Sequence, residues 1–200
     1  MKRLCIGFLC AALALLCSAA NAQSMTRIRG TVTALDGNVL SVQSRDGKDL
    51  KLQLTDKTTV SYPKAIKLSE IKPGDYVGTA ATPDSTGRLV AREVHLFPET
   101  ARGTAEGHFP WDSEPGSTMT NANLAKMVKA TDGQELTLDY KGGSKSVLVP
   151  EGIPIVTTVP GDRSLLRPGA RVFISAELGA DGSMTVARIQ ASKDGVDPPQ

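Results

Sequence analysis

Residues 30–42 read GTVTALDGNVLSV, and residues 126–138 read KMVKATDGQELTL. In both stretches, apolar and polar side chains alternate on either side of an Asp-Gly pair. This alternation is typical of half-buried strands, and Asp-Gly is typical of the tight turn of a β-hairpin. The two stretches therefore predict two similar hairpins whose positions differ by 96 residues.

Two further blocks repeat at nearly the same spacing. IKPGDYV at residues 71–77 resembles LRPGARV at residues 166–172, and VAR occurs at both 90–92 and 186–188. A nearly constant spacing over three blocks indicates that one segment was duplicated. We expect one copy at residues 26–97 and the other at residues 121–192, followed by a polar tail at 193–200.

Each copy is predicted to contain three strands, a short irregular link and two strands, which is the order of an OB-type barrel. Residues 121–129 also fit a capped helix, but similarity to the first copy favours a strand from about Leu124. A closed sheet leaves no exposed edges, and copies of this size are marginally stable alone. We therefore expect an all-β protein of two small five-stranded OB-like barrels packed together. Gly37, Gly74, Gly133 and Gly169 are the expected turn glycines.

The first 22 residues have the features of a cleaved signal peptide. Two basic residues precede an apolar run that is shorter than the roughly 20 residues of a membrane span, and Ala20-Asn21-Ala22 fits a cleavage site before Gln23. All three cysteines lie in this segment. The expected product is a soluble periplasmic protein without disulfides and without a membrane span.

Charge and residue usage exclude several functions. The chain has 23 basic and 21 acidic side chains, and two of the basic ones, Lys2 and Arg3, belong to the segment expected to be removed. A balanced mature chain does not fit nucleic-acid binding, which favours a basic excess. The remaining histidines are His95 and His108, and no phosphate loop or nucleophile elbow is present. We expect a protein that is not an enzyme.

The segment between the copies, residues 98–120, is rich in Gly and Pro yet contains the only tryptophan. Four of its side chains are candidate structural contacts: His108, Phe109, Trp111 and Asp112. Because large aromatic side chains dominate the surfaces they enter, we expect Trp111 to be buried and to join the two barrels.

A metal site is the alternative interpretation of this linker. His108, Met119 and Met127 supply the imidazole and thioether ligands that suit a soft ion such as Cu(I). Their spacing matches no chaperone motif, so we favour the structural interpretation and expect no cofactor.

The barrel and linker motifs resemble known sequences. The patterns at residues 30–42 and Lys72-Pro73-Gly74-Asp75 resemble a widespread family of exported bacterial domains of unknown function with OB-like barrels. The linker and the residues after it, 103–122, resemble a proteobacterial subset with two copies. The resemblance implies tandem OB-like barrels and no known activity. Some relatives are labelled metal ABC transporter permease, but the expected mature chain contains no apolar run near 18 residues.

Taken with the composition, these features favour a periplasmic binding or structural module. A metal-binding protein is the second hypothesis, and a hydrolase-type enzyme is the third. The expected partner is another envelope protein, a saccharide or a metal ion.

Overall fold

The computed structural model describes residues 24–198, so the expected signal peptide and the three cysteines lie outside the described residues. The strands are β1 (Ser24–Asp36), β2 (Val39–Ser44), β3 (Asp49–Gln53), β4 (Thr59–Ala65), β5 (Tyr76–Pro83), β6 (Leu89–Leu96), β7 (Gly107–Pro110), β8 (Thr118–Ala130), β9 (Gly133–Tyr140), β10 (Gly143–Val149), β11 (Ile155–Pro160), β12 (Arg171–Leu178) and β13 (Met184–Ala191). Short 3-10 turns occupy Leu68–Glu70, Glu99–Ala101 and Arg163–Leu165. The all-β prediction is confirmed. Of the helical segments in residues 24–198, none has the length and apolar character needed to span a bilayer.

The strands close into two five-stranded barrels. Barrel 1 runs β1-β2-β3-β13-β12 and returns to β1. Barrel 2 runs β8-β9-β10-β6-β5 and returns to β8. The seams β3–β13 and β10–β6 are parallel, and the other pairings within the barrels are antiparallel. Closure pairs the strand edges that a small open sheet would expose.

The two copies exchange strands. Barrel 1 takes three strands from the first copy and two from the second, and barrel 2 takes the complementary set. The sequence-based assignment of one barrel to residues 26–97 and the other to 121–192 therefore differs from the structure. The reason is that the copies are similar, so the last two strands of either copy fit the first three strands of the other. Sequence similarity cannot choose between these partners.

Strands β4 and β11 carry the chain from one barrel to the other. They pair antiparallel, with Pro63 opposite Thr158. On their outer edges, β4 runs parallel to β13 and β11 runs parallel to β6. The two barrels thus belong to one continuous sheet, related by an approximate two-fold axis near the Pro63–Thr158 pair.

Each barrel has its own apolar core, and each core draws on both copies. The core of barrel 1 includes Ile28, Val32, Leu40, Val42, Leu52 and Leu54 from the first copy and Val172, Ile174, Val186 and Ile189 from the second. The core of barrel 2 includes Ile71, Val77 and Val94 from the first copy and Leu124, Leu136, Leu138, Val147 and Val149 from the second. Burial of apolar surface, the main stabilising term of folding, is therefore shared between the copies.

The turn glycines all have a positive φ, which glycine adopts without steric cost. Gly74 (94°) and Gly169 (87°) are equivalent, because their N–H groups donate to the carbonyls of Leu124 and Val32, respectively, at 2.7 and 2.9 Å. Gly37 (56°) and Gly133 (141°) are not equivalent, although the sequences align there.

The reason is a difference in the hairpins. A bulge follows Val32 in β1 and Leu124 in β8. These two residues correspond in the structure, whereas the spacing of 96 pairs Val32 with Val128. The β8–β9 hairpin extends further beyond its bulge than the β1–β2 hairpin does. The expectation of a strand instead of a helix in residues 121–129 is confirmed, but β8 begins at Thr118, earlier than the expected start near Leu124.

Candidate functional site

A cleft of about 320 Å³ lies between the outer faces of the barrels. Its walls are formed by β5, β6 and β8 of barrel 2 and by β1, β12 and β13 of barrel 1, and the linker closes one side. Since β4 and β11 also contribute, the cleft lies at the approximate two-fold axis. It exists only where the two barrels meet.

The wall from barrel 2 is mainly apolar. The register places Glu93, Ala80, Met119 and Phe109 side by side across β6, β5, β8 and β7, and all four line the cleft. Glu93 is half-buried, and its carboxyl makes no hydrogen bond or ion pair within residues 24–198. Burial raises the pKa of its carboxyl to about 7. This side chain therefore changes charge near neutral pH.

The wall from barrel 1 is cationic. Arg188, Ser175 and Arg27 lie side by side across β13, β12 and β1. Neither of the two guanidinium groups makes a hydrogen bond or ion pair to another described residue. The Arg27 guanidinium lies 4.4 Å from the ring centre of Trp111, which is a cation–π distance.

A hydrogen-bonded trio connects the walls near the axis. Thr158 Oγ1 lies 2.8 Å from His95 Nε2 and accepts a hydrogen bond from Gln190 Nε2 at 3.1 Å. The His95 ring also packs against Phe97, with ring centres 4.7 Å apart. Burial lowers the pKa of His95 to about 4. His95 is therefore neutral at physiological pH and a weak base.

Asn121 is a buried polar residue at the cleft. Only 6% of it is exposed, and its Nδ2 donates to the carbonyls of Thr104 and Ala105 at 3.4 and 3.2 Å. Its Oδ1 has no partner, and buried acceptors are normally satisfied. A Cβ at Gly78 would lie 2.7 Å from this oxygen. Gly78 therefore leaves the space that this buried oxygen occupies.

The linker reaches both barrels. Strand β7 pairs with β8 of barrel 2, whereas Trp111 lies 6.4 Å from Phe173 of barrel 1 between ring centres. Trp111 is half-buried, less than the sequence analysis expected. Asp112 bonds Arg29 at 2.9 Å. Burial alone would raise the pKa of Asp112, but the hydrogen bond and charge of Arg29 outweigh it and lower the pKa.

The candidate metal ligands are not brought together. His108 Nδ1 lies 2.9 Å from Thr120 Oγ1, and Met119, the neighbour of Thr120 in β8, points to the opposite face and lines the cleft. Met127 packs against the core of barrel 2. The described part of the chain also holds no group of three or more His, Cys, Asp or Glu side chains arranged for a metal.

Sequence reasoning missed the charged cleft residues. In the structure, Glu93 and Arg188 occupy equivalent positions in the two copies, as do His95 and Gln190. The VAR blocks, however, align Arg188 with Arg92 at a spacing of 96, whereas the structure pairs Arg188 with Glu93 at a spacing of 95. A comparison of the two copies by sequence therefore hides this difference.

Comparison with known families covers the first copy. Residues 29–95 match a family described as Domain of unknown function (DUF5666). No curated protein and no solved structure matches the chain. The matched segment ends before the linker and supplies strands to both barrels.

Replacing Trp111 with Ala should lower the free energy of unfolding by about 2 kcal/mol, because a half-buried indole and its contact with Arg27 are lost. Urea unfolding followed by circular dichroism measures this change. Unfolding should remain a single transition, since exchanged strands prevent the barrels from melting separately. Tyr62→Ala is the matched control for the loss of a half-buried aromatic ring outside the cleft, because Tyr62 is also half-buried and its ring also contacts a cation, Lys193. A Trp111→Ala protein as stable as wild type would contradict the contact.

Proposed function

We propose that this chain is a non-enzymatic binding module of the bacterial periplasm and that its two OB-like barrels form one ligand site between them. The strand order within each barrel, three strands followed by two with one parallel seam, supports the OB-like description. The N-terminal signal pattern and the confinement of cysteine to that segment support export.

The unpaired polar groups of the cleft carry this proposal. Two groups of the cleft are shielded from solvent and have no side-chain hydrogen bond or ion pair within the described residues: the half-buried Glu93 carboxyl and the buried Oδ1 atom of Asn121. The exposed side chains of Arg27 and Arg188 line the same cleft and form no salt bridge there, although the charge of Arg27 also acts on Asp112. Proteins normally pair buried polar groups, and ligand pockets combine an apolar lining with a few convergent polar groups. A bound ligand supplies the partners that this fold leaves out.

Binding fits the chemistry of the cleft better than catalysis. A general base works best when its pKa is near the working pH, whereas the pKa of His95 is lowered to about 4. The Glu93 carboxyl, whose pKa is raised to about 7, meets that condition, but within residues 24–198 it bonds no hydroxyl that it could activate, since Thr158 Oγ1 bonds His95 and Gln190. Among residues 24–198, no carboxylate bonds the His95 ring to orient it. The Thr158 hydroxyl therefore has no activated base beside it.

The fluorescence of the tryptophan allows a direct test of ligand binding. Trp111 is the only tryptophan and lines the cleft, so its fluorescence should change when a ligand enters. A panel of small anions, amines, neutral sugars and apolar compounds is titrated while emission and melting temperature are recorded. We expect at least one class to shift both in the wild type.

Two matched variants test whether the changes in fluorescence and melting temperature arise from binding in the cleft. Ser175→Phe places a ring inside the cleft and should abolish it, whereas Thr137→Phe, at a half-buried position of β9 outside the cleft lining, should leave it unchanged. A panel without any response, or a response that survives Ser175→Phe, would reject the cleft as the ligand site.

A further inference from the structure

We propose that the cleft selects an anion with an apolar body, such as an ionised carboxylic acid whose head group binds between Arg27 and Arg188. This inference rests on the proposed function and names the ligand class for the same site. The head group lies against barrel 1, and the apolar body lies against barrel 2 and the linker.

The cationic wall has the geometry of an anion site. Arg27 and Arg188 flank Ser175 in one row. Neighbouring strands are about 4.8 Å apart, so the two arginine backbones are separated by about 10 Å, and both side chains can converge above Ser175. The hydroxyl supplies another donor. Arginine favours carboxylate and phosphate because its planar donors bind two oxygens at once.

Half of the ten arginines in residues 24–198 pair with a carboxylate, and Arg27 and Arg188 belong to the other half. Five others form ion pairs with carboxylates: Arg29 with Asp112, Arg88 with Asp84, Arg92 with Glu114, Arg102 with Glu99 and Arg171 with Asp197. Arg27 and Arg188 have no such partner among the described residues. Arg45 and Arg163 bond carbonyl or amide oxygens instead, and Arg167 is exposed outside the cleft. Arg27 and Arg188 are the arginines without a salt bridge that line the cleft together, where an arriving carboxylate can reach both.

The opposite side of the cleft is suited to an apolar body. Its lining includes Ala80, Phe109, Trp111, Met119 and Phe173. Phe109 and Trp111 meet edge to face, with ring centres 6.2 Å apart. A lining of aromatic and thioether side chains accommodates both aliphatic and aromatic groups. The volume of about 320 Å³ suits a small molecule.

Four ionisable groups face the ligand, and one of them titrates near neutral pH. Arg27 and Arg188 remain charged, and His95 remains neutral because its pKa is about 4. The Glu93 carboxyl, whose pKa burial raises to about 7, is neutral below that pH and repels an anion above it. Affinity for an anion should therefore fall as the pH rises through about 7, and binding should take up a proton.

Calorimetry of the mature chain with four probes tests the class of ligand. Octanoate and 2-naphthoate are the aliphatic and aromatic anions, 1-octanol is the neutral analogue and octylammonium is the cation. We expect both carboxylates to bind at pH 6 and at least tenfold more weakly at pH 8, and we expect the neutral and cationic analogues to bind more weakly than octanoate at pH 6.

Charge variants assign the binding to individual residues. Arg27→Gln and Arg188→Gln should each weaken octanoate binding about tenfold, which is about 1.4 kcal/mol. Arg167→Gln removes the same charge from an exposed site outside the cleft lining and should change nothing. Glu93→Gln should remove the dependence on pH. The Arg188 side chain is exposed and makes no hydrogen bond or ion pair to another described residue, so its variant should keep the wild-type melting temperature.

Different negative results would refute the anion inference alone or the proposed function as a whole. If octylammonium binds as tightly as octanoate, or if both arginine variants bind octanoate like wild type, the selection of an anion is refuted. If the panel still contains a ligand that Ser175→Phe excludes, the cleft remains a binding site for another class. If no compound of any class binds in a manner that Ser175→Phe abolishes, the proposed function fails together with this inference.

Discussion

Cutting the linker should leave the two halves of the chain together. Glu114, Pro115 and Gly116 are exposed, so a protease site inserted after Pro115 is accessible. Cleavage separates β1–β7 from β8–β13, yet each barrel needs strands from both pieces. The pieces should therefore co-elute at the size of the intact protein in native size-exclusion chromatography.

Concentration dependence makes this prediction specific. Pieces that share both cores can separate only by unfolding, so the melting temperature of the cleaved protein should rise with protein concentration. The intact protein, tested at the same concentrations, is the control and should show no such rise. Two pieces that elute separately while retaining β structure would show that each copy closes its own barrel, which contradicts the strand exchange.

Replacing Leu40 with Ala should weaken protection of β12 and β13, in the second copy, more than protection of β5 and β6, in its own copy. Leu40 is fully buried in barrel 1, and Leu→Ala at such sites costs about 2–5 kcal/mol. Hydrogen exchange followed by mass spectrometry should speed up in β12 and β13, which complete that barrel. Protection of β5 and β6, which follow Leu40 in the same copy but belong to barrel 2, should change less.

Leu136→Ala is the matched control, because Leu136 is the equivalent buried residue of barrel 2. Its effect should be reciprocal, with faster exchange in β5 and β6 and less change in β12 and β13. A large loss of protection confined to the mutated copy in both variants would contradict the shared cores. Global unfolding free energies from urea titrations confirm that the two variants are comparably destabilised.

Local patterns predicted the strands well for a physical reason. Residues such as Leu40 and Val42 alternate with polar neighbours because a half-buried strand exposes every second side chain, and the glycines at Gly74 and Gly169 occupy positive-φ turns that other residues avoid. The sequence comparison aligned the β1–β2 and β8–β9 hairpins at their shared Asp-Gly pairs. In the structure, the positions of the bulges after Val32 and Leu124 decide which residues correspond.

The cleft between the barrels was harder to predict from the sequence. The linker was correctly singled out as unusual, and Trp111 and Phe109 do line the cleft. Glu93, Ser175 and Arg188 looked like the polar positions of ordinary strands. They meet only because β6 and β12–β13 flank the two crossing strands, a proximity that spacing along the chain does not encode.

The sequence by itself determined the strands of the barrels, the duplication and the barrel size, because side-chain alternation and turn chemistry act over a few residues. It did not predict β4, β7 or β11, which lie in segments expected to be irregular links. Tertiary structure alone decided which strands share a core. Either copy offers the same apolar faces and strand edges, so the energies of self-pairing and exchanged pairing are similar at the level of local pattern. The choice depends on β4 and β11, which pair with each other at Pro63 and Thr158 and extend between the barrels. That crossing also brings the two outer faces together and so creates the cleft.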